Sequence, residues 1–523
     1  MENVWRVEGW KPTCHYSDGS SDASIFDIQF SNLSLKAPTR DNIGERFEVI
    51  SECTRDILRY PYNAMFWALR AIQLSSCGYP ELGASDARRA DRLFRAMLDS
   101  ERAEELGCKA RRDFYTTVMD SVIGWPGKIL VEHIESGPPL PPHQRESLID
   151  LHWKNYTVLV HSMNLMQEFH GAHKICEEAR AYYPNEDVFP NALASSKKEM
   201  QKKTSMCASQ GAAERARYGE VTYREYPFML SKHLQRSLDL VQSIDIKLRE
   251  FDAKCTLSTG TIGQPESPVY SLQKKLTWMS MSHFANPLKR PSEVLGLIAN
   301  CDIKPGEIIF KDSTPIGVSC KSGSHTWRGE KLPICDHCHG LVMPTKQNKD
   351  RPKVFKPKCC DARFCSKECL ESARSNYHHA VCGKDFKWLY RDSSPPTSEI
   401  ASDYQNDGVM WLRILATCVQ SALHPLDHPI IAALTPNYGD VARRWSVTSH
   451  LDDVHRILTT LGVDVFTDMR FDGWVLQTVW ARLANNVRCA GGGEGPAARD
   501  LNPLYSFLNH VSINTSDILR ACC

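Results

Sequence analysis

Thiol and imidazole side chains are concentrated between residues 335 and 382, and their types and spacing are suited to binding metal ions. They are Cys335, Cys338, Cys359, Cys360, Cys365, Cys369, His378 and Cys382. Thiolates and imidazoles hold Zn²⁺ tetrahedrally, and spacings of two or three residues let two ligands leave one turn toward one ion. Eight ligands are enough for two tetrahedral zinc ions. His379 is the alternative imidazole, although His378 fits the spacing to Cys382 better.

The composition limits what the rest of the chain can be. It has 523 residues, 42% hydrophobic and 24% charged, which is ordinary for a soluble globular protein of several domains. The net charge of +1 favours neither nucleic acid nor an acidic membrane as a partner. Many of the 20 cysteines have zinc spacing and the chain opens without a basic and apolar leader, so we expect a reducing compartment, the nucleus or the cytoplasm. No apolar run is long enough to predict a membrane span.

Residues 1–250 are predicted to be helical. Apolar side chains recur every three or four positions in residues 66–93, around a glycine that predicts a turn between two helices, and a second copy of the pattern is recognisable in residues 156–183. The two hairpins resemble tetratricopeptide repeats, whose unit is about 34 residues. Proline-rich residues 137–142 are predicted to form a stiff linker or loop between them. Because two degenerate hairpins are fewer than the three repeats that such arrays usually need, a plain helical bundle without a groove is the alternative.

A region of different character is predicted to begin after residues 254–267, which are rich in Thr, Ser, Gly and Pro and mark a boundary. Residues 294–299 and 302–310 both contain β-branched and apolar side chains, with a Pro-Gly pair between the two segments. This pattern predicts two strands joined by a tight turn, which together form a β-hairpin.

The order of the motifs in the second half of the chain resembles that of a known family. Residues 296–307 resemble the opening strands of SET-domain methyltransferases, and the cysteine cluster that follows resembles a MYND zinc finger. Residues 407–416 and 475–486 resemble the helices of the insert that follows the finger, and 503–510 resembles the start of the Asn-His-Ser-Cys-x-Pro-Asn signature. The chain thus resembles SET and MYND domain-containing protein-lysine methyltransferases, in a fungal-like arrangement.

The resemblance implies an α+β fold in which a helical, tetratricopeptide-like N-terminal domain precedes a SET β-fold. A MYND zinc finger and a helical insert interrupt this β-fold. The implied segments are a helical region at 1–250, SET N-terminal strands at 286–333, the MYND-type finger at 334–383, the helical SET insert at 400–490, a partial SET core at 499–510 and a divergent tail at 511–523.

The resemblance also implies which ligands share an ion. One zinc takes the four thiols of Cys335, Cys338, Cys365 and Cys369. The second takes Cys359, Cys360, His378 and Cys382. The family carries a Cys-x2-Cys pair where this chain has two adjacent cysteines. Both ligands must therefore come from neighbouring residues, and we expect the second site to be strained.

A SET domain transfers a methyl group from S-adenosylmethionine to a lysine amine, which must first lose its proton. If the SET site is complete, the resemblance implies that the cofactor-binding residues are Gly296, Leu297, Asn486, Asn509 and His510. Glycine lets the main chain approach the cofactor closely, and the Asn-His pair offers amide and imidazole groups to the adenosyl moiety.

The chain departs from the family pattern on both sides of the finger. Val294 stands where the Gly-x-Gly-Leu motif has its first glycine, and residues 511–515 replace the signature that should follow His510. The catalytic tyrosine of the family has no counterpart, so no catalytic residue is assigned. We therefore expect a truncated SET core that is inactive as written.

Two functions of different classes remain open. The first is an S-adenosylmethionine-dependent protein-lysine methyltransferase of the histone type. The alternative is a non-catalytic module in which the zinc finger and the helical repeats bind proteins. In both cases the expected partner is a protein substrate or a peptide, bound by the finger and the helical repeats, without direct nucleic-acid binding and without a membrane.

Overall fold

The computed structural model describes residues 10, 12–14, 43–98, 104–121, 142–229, 255–261, 293–299, 316–319, 324–327, 330–338, 354–390, 399–434, 442–490 and 498–501. The described residues are largely helical. The chain divides into two compact units, each assembled from segments that are distant in sequence. The first unit comprises Met1–Leu230, Pro396–Tyr404 and Tyr438–Thr478, and the second comprises Ser231–Pro395, Gln405–Asn437 and Val479–Cys523.

The secondary structure elements are numbered here in chain order. The helices are α1 (Ile43–Arg59), α2 (Ala64–Ser76), α3 (Pro80–Leu98), α4 (Glu104–Ser121), α5 (Pro142–Leu165), α6 (Phe169–Tyr182), α7 (Val188–Ser205), α8 (Gln210–Arg215), α9 (Lys367–Ala373), α10 (His379–Val381), α11 (Glu399–Ser421), α12 (Pro429–Ala433), α13 (Asp453–Thr460) and α14 (Gly473–Asn486). The strands are β1 (Gly219–Val221), β2 (Cys255–Thr261), β3 (Glu293–Ala299), β4 (Ile316–Ser319), β5 (Ser324–Trp327), β6 (Glu330–Pro333), β7 (Arg443–Trp445), β8 (Val487–Ala490) and β9 (Ala498–Leu501). None of the helices in the described part of the chain is both long and apolar enough to cross a bilayer.

Both helical hairpins predicted in the N-terminal region are present. In the first, the Asn63 side chain accepts a hydrogen bond from the Met65 amide at 3.0 Å and caps α2. Gly78, at φ +85°, provides the left-handed turn between α2 and α3. The second hairpin is formed by α5 and α6. The residues between 122 and 141, where a proline-rich linker was expected, lie outside the described part of the chain, and Pro142 is the first residue of α5.

The first unit is built by packing neighbouring helices against each other, with α3 in contact with α2, α4 and α5. The Ser75 and Ser162 hydroxyls lie 2.8 Å apart between α2 and α5, and the Asn155 amide donates to the Ala87 carbonyl at 2.8 Å. Hydrogen bonds of this kind fix the angle between helices that apolar packing alone would leave adjustable.

The first unit also includes a segment from much later in the chain. Strand β7 pairs antiparallel with β1, so that Trp445 lies opposite Gly219. The Trp445 side chain is completely buried and its indole N–H donates to Gln477 at 3.3 Å. Residues around 443–478 therefore complete the core of the helical unit, although the sequence pattern grouped them with the insert at 400–490.

The predicted β-hairpin is only partly within the described residues. Strand β3 is formed as expected, whereas residues 302–310, its predicted partner, lie outside the described part of the chain. The described partner of β3 is instead β2, in a seven-residue antiparallel register from Cys255↔Ala299 to Thr261↔Glu293. Composition had marked residues 254–267 as a boundary. The difference arises because the threonines of this stretch are β-branched and favour a strand.

Strands from both sides of the cysteine cluster meet in one sheet of the second unit. Its order is β4-β9-β8, with all pairs antiparallel, and Ile316 of β4 lies opposite Leu501 of β9. The cysteine cluster and helix α11 thus occur in the chain between strands that pair with each other. From Asp407 to Cys418 the residues of α11 are buried, Met410 and Ile414 among them, and the Trp411 ring stacks on Trp480 of α14 at 5.3 Å.

Candidate metal centre

Four cysteines converge at the first cluster. The Sγ atoms of Cys335, Cys338, Cys365 and Cys369 all lie within 4.8 Å of one another. The Cys338–Cys365 and Cys365–Cys369 sulfur distances are 3.6 and 3.5 Å. Tetrahedral coordination at a Zn–S distance of about 2.3 Å requires sulfur atoms about 3.8 Å apart. The spacing therefore fits a metal ion, and it is far longer than the S–S bond of about 2.05 Å in a disulfide.

The second cluster contains three cysteines and one histidine. The ligand atoms of Cys359, Cys360, His378 and Cys382 also lie within 4.8 Å of one another. Nε2 of His378 lies 3.2 Å from the Cys359 sulfur and 3.7 Å from the Cys360 sulfur. Both adjacent cysteines thus lie near the same imidazole nitrogen, as a shared metal ion requires. His379, the alternative imidazole, is exposed, whereas His378 is buried.

Short backbone contacts hold the cysteine-bearing loops together. Phe355 and Phe364 form an isolated antiparallel bridge, with both backbone hydrogen bonds at 2.9 Å, and Phe364 is completely buried. The Asp336 amide donates to the Arg363 carbonyl at 2.8 Å, and the Arg363 amide donates to the Asp336 carboxylate. These bonds place the turn containing Cys335 beside the loop that leads to Cys365.

Cys369, His378 and Cys382 come from one helical segment and the residue that follows it. The Ser366 hydroxyl accepts a hydrogen bond from the Cys369 amide at 3.1 Å and caps α9. After α9 the chain continues as a π-helical turn, Arg374–His378, and then as α10. A π-helical turn inserts one extra residue and is frequently found at functional sites. Here it ends at the histidine ligand of the second cluster.

Helix α11 contacts the segments that carry both clusters. The Arg413 guanidinium donates to the Asp336 carbonyl at 2.7 Å and lies 3.6 Å above the centre of the Tyr377 ring. The Tyr377 hydroxyl donates to the same carbonyl at 3.0 Å. The Gln420 side chain donates to two carbonyls of the π-helical turn and accepts from the amides of His379 and Ala380.

The thiols of the first cluster influence one another's ionisation. A hydrogen bond from the Cys338 thiol lowers the pKa of Cys335 to about 4, whereas burial and a hydrogen bond with Cys369 raise the pKa of Cys365 to about 12. One thiolate thus disfavours ionisation of its neighbours, because like charges at such short distances repel. A divalent cation reverses this situation, because a coordinating thiol loses its proton outright.

The thiols of the second cluster also influence one another's ionisation, and the fourth ligand, His378, is neutral. A hydrogen bond with Cys359 raises the pKa of Cys382 to about 12. Burial lowers the pKa of His378 below its ordinary value of 6.5, and the neighbouring His379 acts in the same direction. His378 is therefore neutral at pH 7, which is the form of imidazole that binds metals.

The donor sets fit zinc. Four thiolates, or three thiolates and an imidazole, are the ligand sets of structural zinc sites. The fourteen cysteines for which the structure describes a state are all free of disulfide bonds. The chain therefore offers two Cys/His groups that can hold two metal ions, grouped as the family resemblance implied.

The described residues assigned to S-adenosylmethionine lie in different elements of the second unit. Gly296 and Leu297 lie in β3, opposite Ser258 and Leu257 of β2, and this pair of strands is separate from the sheet that contains β8. Asn486 is buried at the end of α14, where its side-chain amide donates to the Arg482 carbonyl at 2.6 Å. Asn509 and His510 lie outside the described part of the chain.

Sequence reasoning missed two residues that contact the segments carrying the two clusters. Arg413 lies in the segment 407–416 that resembles an insert helix, and Gln420 lies beyond the end of that segment. A signal for Arg413 was present, because it is a single cation within a run of apolar residues. A buried arginine requires a partner. No comparable signal marked Gln420.

The described residues define a largely helical protein with two Cys/His groups that can hold metal ions. Comparison of the chain with protein-family models, with curated proteins and with solved structures finds no match. The resemblance to the SET and MYND family therefore rests on the motif residues named above.

Proposed function

We propose that this chain is a two-zinc protein in which the zinc ions organise a finger that binds other proteins. The observation that carries the proposal is the convergence of eight ligand atoms in two groups of four. Four protein ligands close the coordination sphere of zinc, whereas catalytic zinc keeps a position open for water or substrate. Both zinc ions are therefore assigned structural roles.

Metal analysis of the full-length chain tests this assignment. We expect about two zinc ions per chain after purification without chelator, since each complete group of four ligands holds one ion. Cys338→Ser removes a ligand of the first group and Cys360→Ser removes one of the second, so each variant should retain about one zinc ion. Cys418→Ser is the matched control, because Cys418 is a buried cysteine of α11 outside both groups.

A zinc content below one per chain in the wild type would refute the proposal. Loss of zinc in the Cys418→Ser control equal to that in the ligand variants would show that the metal follows general folding and does not depend on these ligands. A content near one would limit the proposal to a single site.

The helical unit contributes a second surface suited to a protein partner. A pocket of about 630 Å³ opens beside α1, α2 and α3. Its apolar lining includes Leu58, Leu74, Leu82, Phe228 and Trp474, and the Leu58 side chain is 63% exposed. Concave, mostly apolar surfaces with a few polar groups are the usual binding sites of peptides and small ligands. This pocket supports the proposal that the helical unit binds an extended peptide or a partner helix.

A point variant tests partner binding by the pocket better than deletion of residues 1–250 does. Removing residues 1–250 would also expose the core around Trp445, because the segment 438–478 belongs to the same unit. We expect Leu58→Arg to abolish capture of protein partners by the full-length chain. Met206→Arg is the control, because Met206 is 81% exposed in the same unit and does not line the pocket. Equal capture by both variants would favour the plain-bundle alternative.

The second candidate is the SET-type lysine methyltransferase implied by the motifs. The observation that favours it is the antiparallel sheet β4-β9-β8, whose strands lie on both sides of the finger in the chain. A β-domain interrupted by a finger and helices requires such pairing. Transfer of labelled methyl from S-adenosylmethionine to histones, abolished by His510→Ala, would establish the enzyme. Absence of transfer together with absence of S-adenosylmethionine binding would leave the interaction protein.

A further inference from the structure

Helix α11 places two polar side chains against the two metal-binding segments. Arg413 and Gln420 are seven positions apart, which is about two helical turns, so they lie on the same face of the helix. Arg413 reaches the turn that carries the first cluster, and Gln420 reaches the turn that carries the second. We propose that α11 is the positioning element of the metal centre: Arg413 holds the turn of the first cluster against the π-helical turn, and Gln420 holds the π-helical turn alone. This inference rests on the proposed zinc binding.

Arg413 fixes the turn between two ligands of the first ion. The carbonyl of Asp336, which lies between Cys335 and Cys338, accepts hydrogen bonds from the Arg413 guanidinium and the Tyr377 hydroxyl. The guanidinium lies 3.6 Å above the Tyr377 ring centre, and Arg413 is 8% exposed. A planar cation can stack on the ring and donate to the carbonyl at the same time. A lysine ammonium cannot do both with the same geometry.

Gln420 stabilises the π-helical turn that ends at a ligand of the second ion. Its side-chain nitrogen donates to the carbonyls of Arg374 and Ser375 at 2.7 and 2.8 Å. Its oxygen accepts from the amides of His379 and Ala380 at 2.9 and 3.3 Å. One side chain thus makes hydrogen bonds to four backbone groups around the irregular turn.

The extra residue of the π-helical turn determines where the histidine ligand points. In a regular α-helix each residue adds about 100° of rotation, so removal of the irregular turn would rotate His378 by about that amount. Its Nε2 atom would then no longer face the sulfurs of Cys359 and Cys360, from which it lies 3.2 and 3.7 Å away. Gln420 therefore acts through His378 on the second ion and makes no contact with the ligands of the first.

Cobalt substitution of the full-length chain separates the two sites. Co²⁺ in a site of four thiolates absorbs visible light differently from Co²⁺ bound by three thiolates and an imidazole, so each site reports individually. We expect Arg413→Lys to accelerate chelator removal of Co²⁺ from the first site about ten-fold or more, and to accelerate removal from the second site less, because Arg413 touches the second segment only through the Tyr377 ring. We expect Gln420→Glu, which keeps the acceptor oxygen and loses the donor, to show the opposite preference.

The controls distinguish positioning from general stability. Ser421→Ala, at an exposed neighbour of Gln420, should leave both removal rates unchanged. Equal acceleration at both sites by either variant, or no acceleration, would overturn the positioning role. If Gln420→Glu fails to fold, as judged by circular dichroism, Gln420→Asn shortens the same side chain and must show the same preference for the second site. Failure of the wild type to bind two cobalt ions would instead refute the proposed zinc binding.

Discussion

Replacement of Glu81 by glutamine should remove a pH-dependent loss of stability from the helical unit. Glu81 lies in the first turn of α3 and is completely buried. Its two carboxylate oxygens accept hydrogen bonds from the Thr13 hydroxyl at 2.6 Å and the Tyr226 hydroxyl at 2.8 Å. Burial raises the pKa of Glu81 to about 7, although both hydrogen bonds act in the opposite direction.

The sign of the effect follows from where the proton is held. In the unfolded chain the carboxyl group loses its proton near its ordinary pKa of 4.5, whereas in the folded chain it keeps the proton until about pH 7. The stability that protonation of Glu81 contributes to the folded chain is therefore complete below pH 4.5, and it is lost as the pH rises toward and through 7. At about 1.4 kcal/mol per pKa unit, the total loss in the wild type is about 3 kcal/mol.

Glu81→Gln should cancel this loss, because the amide does not ionise and both hydroxyl partners can rotate to donate or accept. Stability is measured by urea unfolding at pH 4 and at pH 8, and unfolding is monitored by hydrogen exchange of peptides from residues 64–98. Wild type and variant are compared at the same pH. We expect the stability of the variant relative to the wild type to rise by about 3 kcal/mol between the two pH values. The exposed Glu48→Gln control should show no such rise. The same relative stability of Glu81→Gln at both pH values would refute the reasoning.

Two further predictions concern the cost of removing a buried partner and the cost of filling a turn. Asp472→Asn should destabilise the helical unit by about 1.5–3 kcal/mol in urea unfolding, because Arg70 is 4% exposed and loses a charged partner at 2.9 Å while it keeps Asp86 at 2.6 Å. Asp468→Asn, at a partly exposed ion pair, should cost at most about 1 kcal/mol, and equal losses would contradict this account. Gly78→Ala should lower the thermal midpoint more than Gly383→Ala. Both glycines have positive φ, but a Cβ at Gly78 would lie 2.3 Å from a proline side chain, whereas a Cβ at Gly383 meets no atom within 4 Å. Equal midpoints would show that the contact at Gly78 relaxes.

The sequence alone predicted the helices and the metal ligands because both depend on residues that are close in the chain. The period of three to four apolar residues reflects burial of one helix face, and the helices α2, α3, α5 and α6 follow it. The cysteine spacing reflects ligand geometry within single turns, and family resemblance implied the two groups of four ligands. Strand β3 was predicted on the same local basis.

The tertiary structure decided the features that depend on residues distant in sequence. Strand β3 pairs with β2, in a stretch that composition marked as a boundary, because backbone pairing depends on which segments meet. Strand β7 joins the helical unit through β1 for the same reason. The π-helical turn at Arg374–His378 has no periodic signal, since its irregular backbone is satisfied by Gln420 of another helix. The sequence thus determined which atoms can bind metal, and only the tertiary structure determined what positions them.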